Sequence, residues 1–129
     1  MLFRSYHLFF KEQPDLNWRE PSVKEAMWGA ARFWLDMGVD GFRLDAIDTL
    51  FEHPDLPDHP VQVSQSDLRH YLLSASSEQR TAHGDQSRLF QYQVDQPGGV
   101  GVIRELRQIV DQYKDRVLIG ETDRIAFYG

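Results

Sequence analysis

The stretch Val39-Asp-Gly-Phe-Arg-Leu-Asp-Ala-Ile-Asp48 decides the fold. It reads as a buried β-strand over Val39–Ala46 that nevertheless carries an arginine and an acid. Side chains alternate along a strand, so Gly41, Arg43 and Asp45 share one face and Phe42, Leu44 and Ala46 the other. Arg43 and Asp45 lie two residues apart, about 6–7 Å along the strand, so the guanidinium can sit one layer below the carboxylate and keep it ionised. The polar groups arrive at the carboxyl end of an apolar run. Open α/β sheets and (β/α) barrels place their sites there.

Upstream, the spacing predicts a helix over Ser22–Met37, with Val23, Ala26, Met27, Ala30, Ala31 and Trp34 as its apolar stripe. Ser22 and Glu25 fit a capping box, Pro21 offers an alternative start, and Gly38 fits a left-handed C-terminal cap. Residues 1–19 are irregular, aromatic-rich and broken by Pro14. Downstream, 47–99 is a long polar segment punctuated by proline and glycine, with a short helix expected over Ser66–Leu73. A connection of that length is normally functional or disordered. A second amphipathic helix follows over Val100–Tyr113, its apolar face formed by Ile103, Leu106, Ile109, Val110 and Tyr113. Arg116–Glu121 is a second strand. Strand, helix and strand with short helix-to-strand links argue a parallel sheet built from βαβ units, hence an α/β fold.

In the second strand Val117, Ile119 and Glu121 share a face, and Glu121 again ends an apolar run. If the two strands are neighbours at the usual spacing of about 4.8 Å, the carboxyl groups of Asp45 and Glu121 face one cleft. A close carboxylate pair, one member held anionic by arginine, suits retaining glycoside hydrolysis: the anion attacks the anomeric carbon and the protonated acid serves the leaving oxygen. An Arg–Asp pair closing a barrel rim is the structural alternative. The two strands taken together favour a site.

Composition narrows the field. The 129 residues hold 14 Lys plus Arg against 20 Asp plus Glu, a net charge of −6. That balance, without a basic run, disfavours nucleic acid. No apolar run approaches the roughly 18–20 residues that span a bilayer, so no membrane partner is expected. The first ten residues lack the features of a signal peptide, and a cytoplasmic protein is the expectation. There are no cysteines. His7, His53, His59, His70 and His83 lack metal-site spacing, so neither a metal nor a cofactor is expected. Trp28 and Trp34 read as packing residues before sugar platforms. Asp48 and Glu52 are within reach of substrate hydroxyls from the long loop, with a solvated loop face the simpler reading.

Three stretches resemble signature regions of the α-amylase superfamily, glycoside hydrolase family thirteen, and occur in its order. Gly41-Phe-Arg-Leu-Asp45 looks like the fourth-strand motif, Val117-Leu-Ile-Gly-Glu121 like the fifth-strand motif, and Gln13-Pro-Asp-Leu-Asn17 like the short motif near the end of the inserted domain. The last has the form typical of the oligo-1,6-glucosidase and α-glucosidase branch. The resemblance implies Asp45 as nucleophile, Glu121 as general acid/base and Arg43 as the residue that orients and ionises Asp45. It implies a partial (β/α)₈ TIM barrel, from about the third helix through the fifth strand. Residues 1–19 would be the tail of an inserted substrate-side domain and 20–129 the barrel, with the long loop at 47–99. The implied substrate is a short oligosaccharide with α-1,4 or α-1,6 glucosidic bonds. Ile47-Asp48-Thr49 replaces the Lys-His usual in endo-amylases, and Ala46 leans toward α-1,4 or mixed linkages.

The family's third-strand and seventh-strand motifs are missing, and a full barrel takes about 250 residues. The expectation is therefore a segment of a larger enzyme, its remaining barrel supplied by a longer parent chain. Alone, it should be marginally stable and inactive. Other readings are a transglycosylase or isomerase such as a trehalose synthase, a non-catalytic barrel relative acting as a binding subunit, and a small α/β module.

Overall fold

A computed structural model describes residues 5–58 and 91–122 of the chain. Helix α1 spans Pro21–Asp36 and strand β1 Gly41–Leu44; a 3₁₀ turn covers Ile47–Thr49; helix α2 spans Gly99–Val110 and strand β2 Val117–Gly120. The helix expected at Ser66–Leu73 lies outside the described residues.

Helix α1 starts at Pro21, the alternative start, with Glu20 as its N-cap and no side-chain capping bond. The Ser22/Glu25 box does not form. Proline supplies the helical φ at the first position and places Ser22 inside the helix, where it cannot cap. Its hydroxyl donates instead to Glu20 Oε1 at 3.2 Å. The far end closes as expected: Gly38 takes φ +95° and donates its N–H to the Leu35 carbonyl at 3.0 Å.

The apolar stripe of α1 is a correction. Leu35 is buried, with Trp28 and Ala31 packed around the same core, whereas Met27, Phe33, Trp34 and Met37 are exposed. The buried face is turned by about one residue, some 100° of helix, from the expected one. Both stripes are apolar, and the pattern alone could not choose between them. Contact with α2 decides. Glu105 accepts from Lys24 Nζ at 2.8 Å and from Trp28 Nε1 at 3.2 Å, and Tyr113 donates to Asp36 Oδ1 at 2.8 Å. The Lys24 bond holds the Glu105 carboxyl below its usual range.

Helix α2 buries Val102, Leu106, Ile109 and Val110. It ends earlier than expected, at Val110, and Tyr113 packs on the core from the turn beyond. Leu35, Leu106, Ile109 and Val110 form the centre, against which Phe42, Leu44 and Leu118 close from the sheet.

The sheet is parallel as expected, and its two strands are neighbours; each is four residues long, shorter than the expected Val39–Ala46 and Arg116–Glu121. Gly41 pairs with Val117, Phe42 with Leu118, Arg43 with Ile119 and Leu44 with Gly120. Phe42, Leu44 and Leu118 meet the helices, while Arg43, Val117 and Ile119 are exposed on the opposite face. A cavity of about 690 Å³, lined by Leu44, Ile47, Phe51, Ile103 and Leu118 among others, lies on the helix side. It is an apolar gap between sheet and α2.

Six apolar side chains are buried among the described residues, and ten large ones are exposed, Val117 and Ile119 included. A face of that kind on a short sheet belongs to a larger core. At Gly120 an added Cβ would lie 2.7 Å from the side-chain end of Ile47, Cδ1. Gly120→Ala is therefore expected to destabilise by about 1–2 kcal/mol, since the end of Ile47 can partly give way. Denaturant unfolding against the unsubstituted chain checks it.

Candidate active site

The hydrogen-bond ladder of the sheet runs on past both strands. Glu121 N–H donates to the Leu44 carbonyl at 2.8 Å, which sets Glu121 opposite Asp45. The Glu121 carbonyl then accepts from Ile47 N–H at 3.1 Å. A regular parallel ladder would use the amide of residue 46 there. Ala46 instead turns into the left-handed region, φ 44° and ψ 50°, and the chain breaks away into the 3₁₀ turn. Alanine has the smallest side chain that still incurs that strain, which is of order 1 kcal/mol or more. The strained residue directly follows Asp45.

Arg43 joins the two carboxylates. Its Nη2 hydrogen-bonds Glu121 Oε2 and lies 3.4 Å from Asp45 Oδ1. The expectation that arginine pairs with Asp45 alone is thus corrected. Adjacent strands bring Glu121 as close to Arg43 as its own strand brings Asp45, and Glu121 has the longer reach. One nitrogen touching both acids limits their separation: the two oxygens are no more than about 6 Å apart. Carboxyl groups that work by double displacement stand about 5–5.5 Å apart, and those that admit a water between them about 6.5–9.5 Å. All three side chains are over half exposed, on the open face of the sheet.

Around this centre the structure reassigns two acids. Glu52 is held by Arg19, whose Nη1 meets its carboxylate and Nη2 its backbone carbonyl. The Arg19 guanidinium also stacks over the Phe51 ring at 5.0 Å. Asp48 accepts from the Thr122 hydroxyl at 2.9 Å. Neither acid stands free for substrate. Sequence reasoning missed Arg19 and Thr122, whose partners lie 33 and 74 residues away.

The Gln13–Asn17 motif is an irregular stretch between two turns, closed by Gln13 N–H on the Phe10 carbonyl and by Glu20 N–H on the Asn17 carbonyl, and the second turn carries Arg19. Asp15 Oδ2 accepts from Leu8 N–H at 2.9 Å, and Asn17 Oδ1 from Arg19 N–H at 3.1 Å. Burial raises the Asp15 carboxyl above its usual range, partly offset by the Leu8 bond. Trp18 packs on Trp28 at 5.6 Å between ring centres, consistent with the packing role expected of Trp28. Trp34 does not pack in the core; it is 52% exposed and edge-on to Phe33. Among the described residues no cluster of His, Cys, Asp and Glu is arranged to hold a metal ion, and no helix is long and apolar enough to cross a membrane.

Two acids bridged by one arginine stand at the carboxyl ends of paired parallel strands, the end at which (β/α)₈ enzymes carry their sites. The chain matches the family described as "Alpha amylase, catalytic domain" over residues 4–126, and it belongs to that family. It is 46% identical over 69 residues to Oligo-1,6-glucosidase of Parageobacillus thermoglucosidasius, covering 51% of this chain and 12% of that protein. It is 37% identical over 125 residues to Maltase A2 of Drosophila melanogaster, covering 89% and 20%. Over 124 residues it is also 37% identical to the human amino acid transporter heavy chain SLC3A1, covering 96% and 16%. Among solved structures it resembles the α-glucosyl transfer enzyme XgtA, with 31% identity and a TM-score of 0.68 over 93% of this chain and 22% of that one. The chain therefore spans about a fifth or less of the length of these relatives. Its fold is a segment of the α-amylase-family TIM barrel.

Proposed function

We propose that the chain is the nucleophile-bearing and acid-bearing segment of a retaining α-glucosidase acting on α-1,4 or α-1,6 bonds of short oligosaccharides. Asp45 is the nucleophile, Glu121 the general acid/base and Arg43 the residue that orients both. The observation that carries this reading is the single Arg43 nitrogen in contact with both carboxylates. It keeps those two oxygens within about 6 Å of each other, a separation compatible with a covalent intermediate.

The contacts also divide the oxygens. Arg43 occupies Glu121 Oε2, leaving Oε1 to carry the proton for the glycosidic oxygen. It lies beside Asp45 Oδ1, leaving Oδ2 to attack the anomeric carbon. As the C–O bond breaks, the leaving oxygen takes the Glu121 proton and the sugar becomes an ester of Asp45. Glu121, now anionic, takes a proton from water, which attacks the same carbon and releases Asp45. Two inversions give net retention.

Within this reading residues 1–19 belong to an inserted substrate-side domain, 20–129 to the barrel, and the remaining strands to a longer chain. The similarity to XgtA favours one further reading, in which a sugar hydroxyl replaces water in the second step. The similarity to a transporter heavy chain keeps a non-catalytic role in view, against which stands the presence of Asp45, Glu121 and Arg43 in one ion-paired group.

Proton NMR of maltose or isomaltose turnover by a chain carrying the whole barrel tests the proposal. The glucose first released from the non-reducing end should be the α-anomer. Release of the β-anomer would exclude double displacement, and a trisaccharide formed with one glucose per transfer, without the second glucose that hydrolysis adds, would establish the second reading.

A further inference from the structure

We infer that Asp48 is a positioning residue that locks Glu121 at the level of Asp45 through the Thr122 hydroxyl. The inference rests on the catalytic reading of Asp45 and Glu121. Three segments of backbone converge on Asp48: the exit of β1, the exit of β2 and the approach to α2.

Asp48 Oδ2 accepts from the Thr122 hydroxyl at 2.9 Å, and its backbone carbonyl accepts from Asp95 N–H at 2.8 Å. The preceding residue, Ile47, donates its N–H to the Glu121 carbonyl at 3.1 Å. Glu121 is therefore held on one side by Leu44 and on the other by Ile47, while the next residue is pinned by Asp48. These contacts bracket Asp45 in the sequence. The Ala46 kink gives them their weight, because the regular ladder ends there and, among the described residues, no further strand pairing keeps the two exits in register. Thr49 closes the turn, its N–H and hydroxyl both donating to the Ala46 carbonyl, at 3.0 and 2.8 Å. Asp48 does not touch the reacting atoms. It fixes the backbone from which Glu121 reaches them.

The role requires a hydrogen-bond acceptor at 48 and a hydroxyl at 122, and it requires no charge. Asp48→Ala, Asp48→Asn, Thr122→Val and Thr122→Ser are therefore compared in a chain carrying the whole barrel, with maltose as substrate. Asp48→Ala and Thr122→Val should each lower kcat about tenfold or more with KM within twofold, since a displacement near 1 Å is enough for such losses. Asp48→Asn and Thr122→Ser should recover most of that loss, and the double variant Asp48→Ala/Thr122→Val should be no worse than either single one. In parallel, amide exchange at Ile47 should quicken roughly fivefold in the two disruptive variants and not in the conservative ones, as loss of one supporting hydrogen bond predicts. An Asp48→Ala enzyme with unchanged kcat would overturn the inference, as would an Asp48→Asn enzyme as impaired as Asp48→Ala. An unsubstituted barrel that turns over no α-glucoside overturns the glucosidase reading instead, and Ile47 exchange then still decides whether Asp48 holds the two strand exits together.

Discussion

In a chain carrying the whole barrel, Asp45→Asn should lower α-glucoside hydrolysis by roughly four to six orders of magnitude, the loss typical of an enzyme deprived of its nucleophile. The amide keeps the size of the carboxylate and can still lie near Arg43, so the effect reports chemistry more than folding. Glu121→Gln should behave differently. In the first step its cost depends on how much the leaving oxygen needs a proton: about 10²–10⁴-fold for a sugar leaving group, and far less for a nitrophenolate, which departs unaided; the second step loses its base with either substrate. The two variants are separated by assaying each on maltose and on nitrophenyl α-glucoside. Asp45→Asn should fail on both, whereas Glu121→Gln should fail from the first step on maltose but release a burst of nitrophenolate, followed by slow turnover, from the nitrophenyl glucoside. The reverse pattern would exchange the two roles. More than one-hundredth of normal activity in Asp45→Asn would remove the residue from the mechanism. Arg43→Lys adds a third arm, because an ammonium is a point charge without the planar fork that can serve two carboxylates in fixed directions.

The parts of the site that were legible in the sequence depend on short-range rules. Period-two alternation places Arg43 and Asp45 on one face, and the short link from α2 into β2 makes the strands parallel. Together they put Glu121 beside Asp45 provided the strands are neighbours, and the register from Gly41–Val117 to Leu44–Gly120 supplies that adjacency. What the sequence left open depended on competition between groups of equal merit. Two apolar stripes run along α1, and only Glu105 and Tyr113 on the partner segment show which one turns inward. Arg43 had two acids within reach, and sequence spacing speaks only for the one on its own strand. Alanine carries no propensity for the left-handed region, so the kink at Ala46, and with it the Asp48–Thr122 bond, had no local signal. The Arg19–Glu52 pair was hidden for the same reason as Thr122: both are set by how distant segments meet.

Gly41→Ala should be the most destabilising substitution in the sheet, and its cause is backbone rather than packing. Gly41 stands at φ +147°, a region an L-residue with a Cβ rarely occupies. A Cβ built there would lie 1.9 Å from the Val117 carbonyl oxygen and 2.8 Å from its carbonyl carbon and amide nitrogen. Unlike Ile47 beside Gly120, Val117 cannot swing aside, because it is the residue paired with Gly41 in the ladder. The strained φ alone costs about 1–3 kcal/mol and the forced separation of the strands at least as much again. A loss above about 3 kcal/mol is a large share of the 5–15 kcal/mol that stabilises a typical domain. It also falls on the pairing that sets Arg43 opposite Ile119 and delivers Glu121 to Asp45. Thermal unfolding of Gly41→Ala beside Gly120→Ala makes the comparison internal, since both glycines lie in the same short sheet. The Gly41 variant should melt well below the Gly120 variant, or fail to give a cooperative transition at all. Equal midpoints would mean that β1 and β2 can part at their amino ends without loss, and the register would then have to be held from the other end, by the contacts of Ile47 and Asp48 with Glu121 and Thr122.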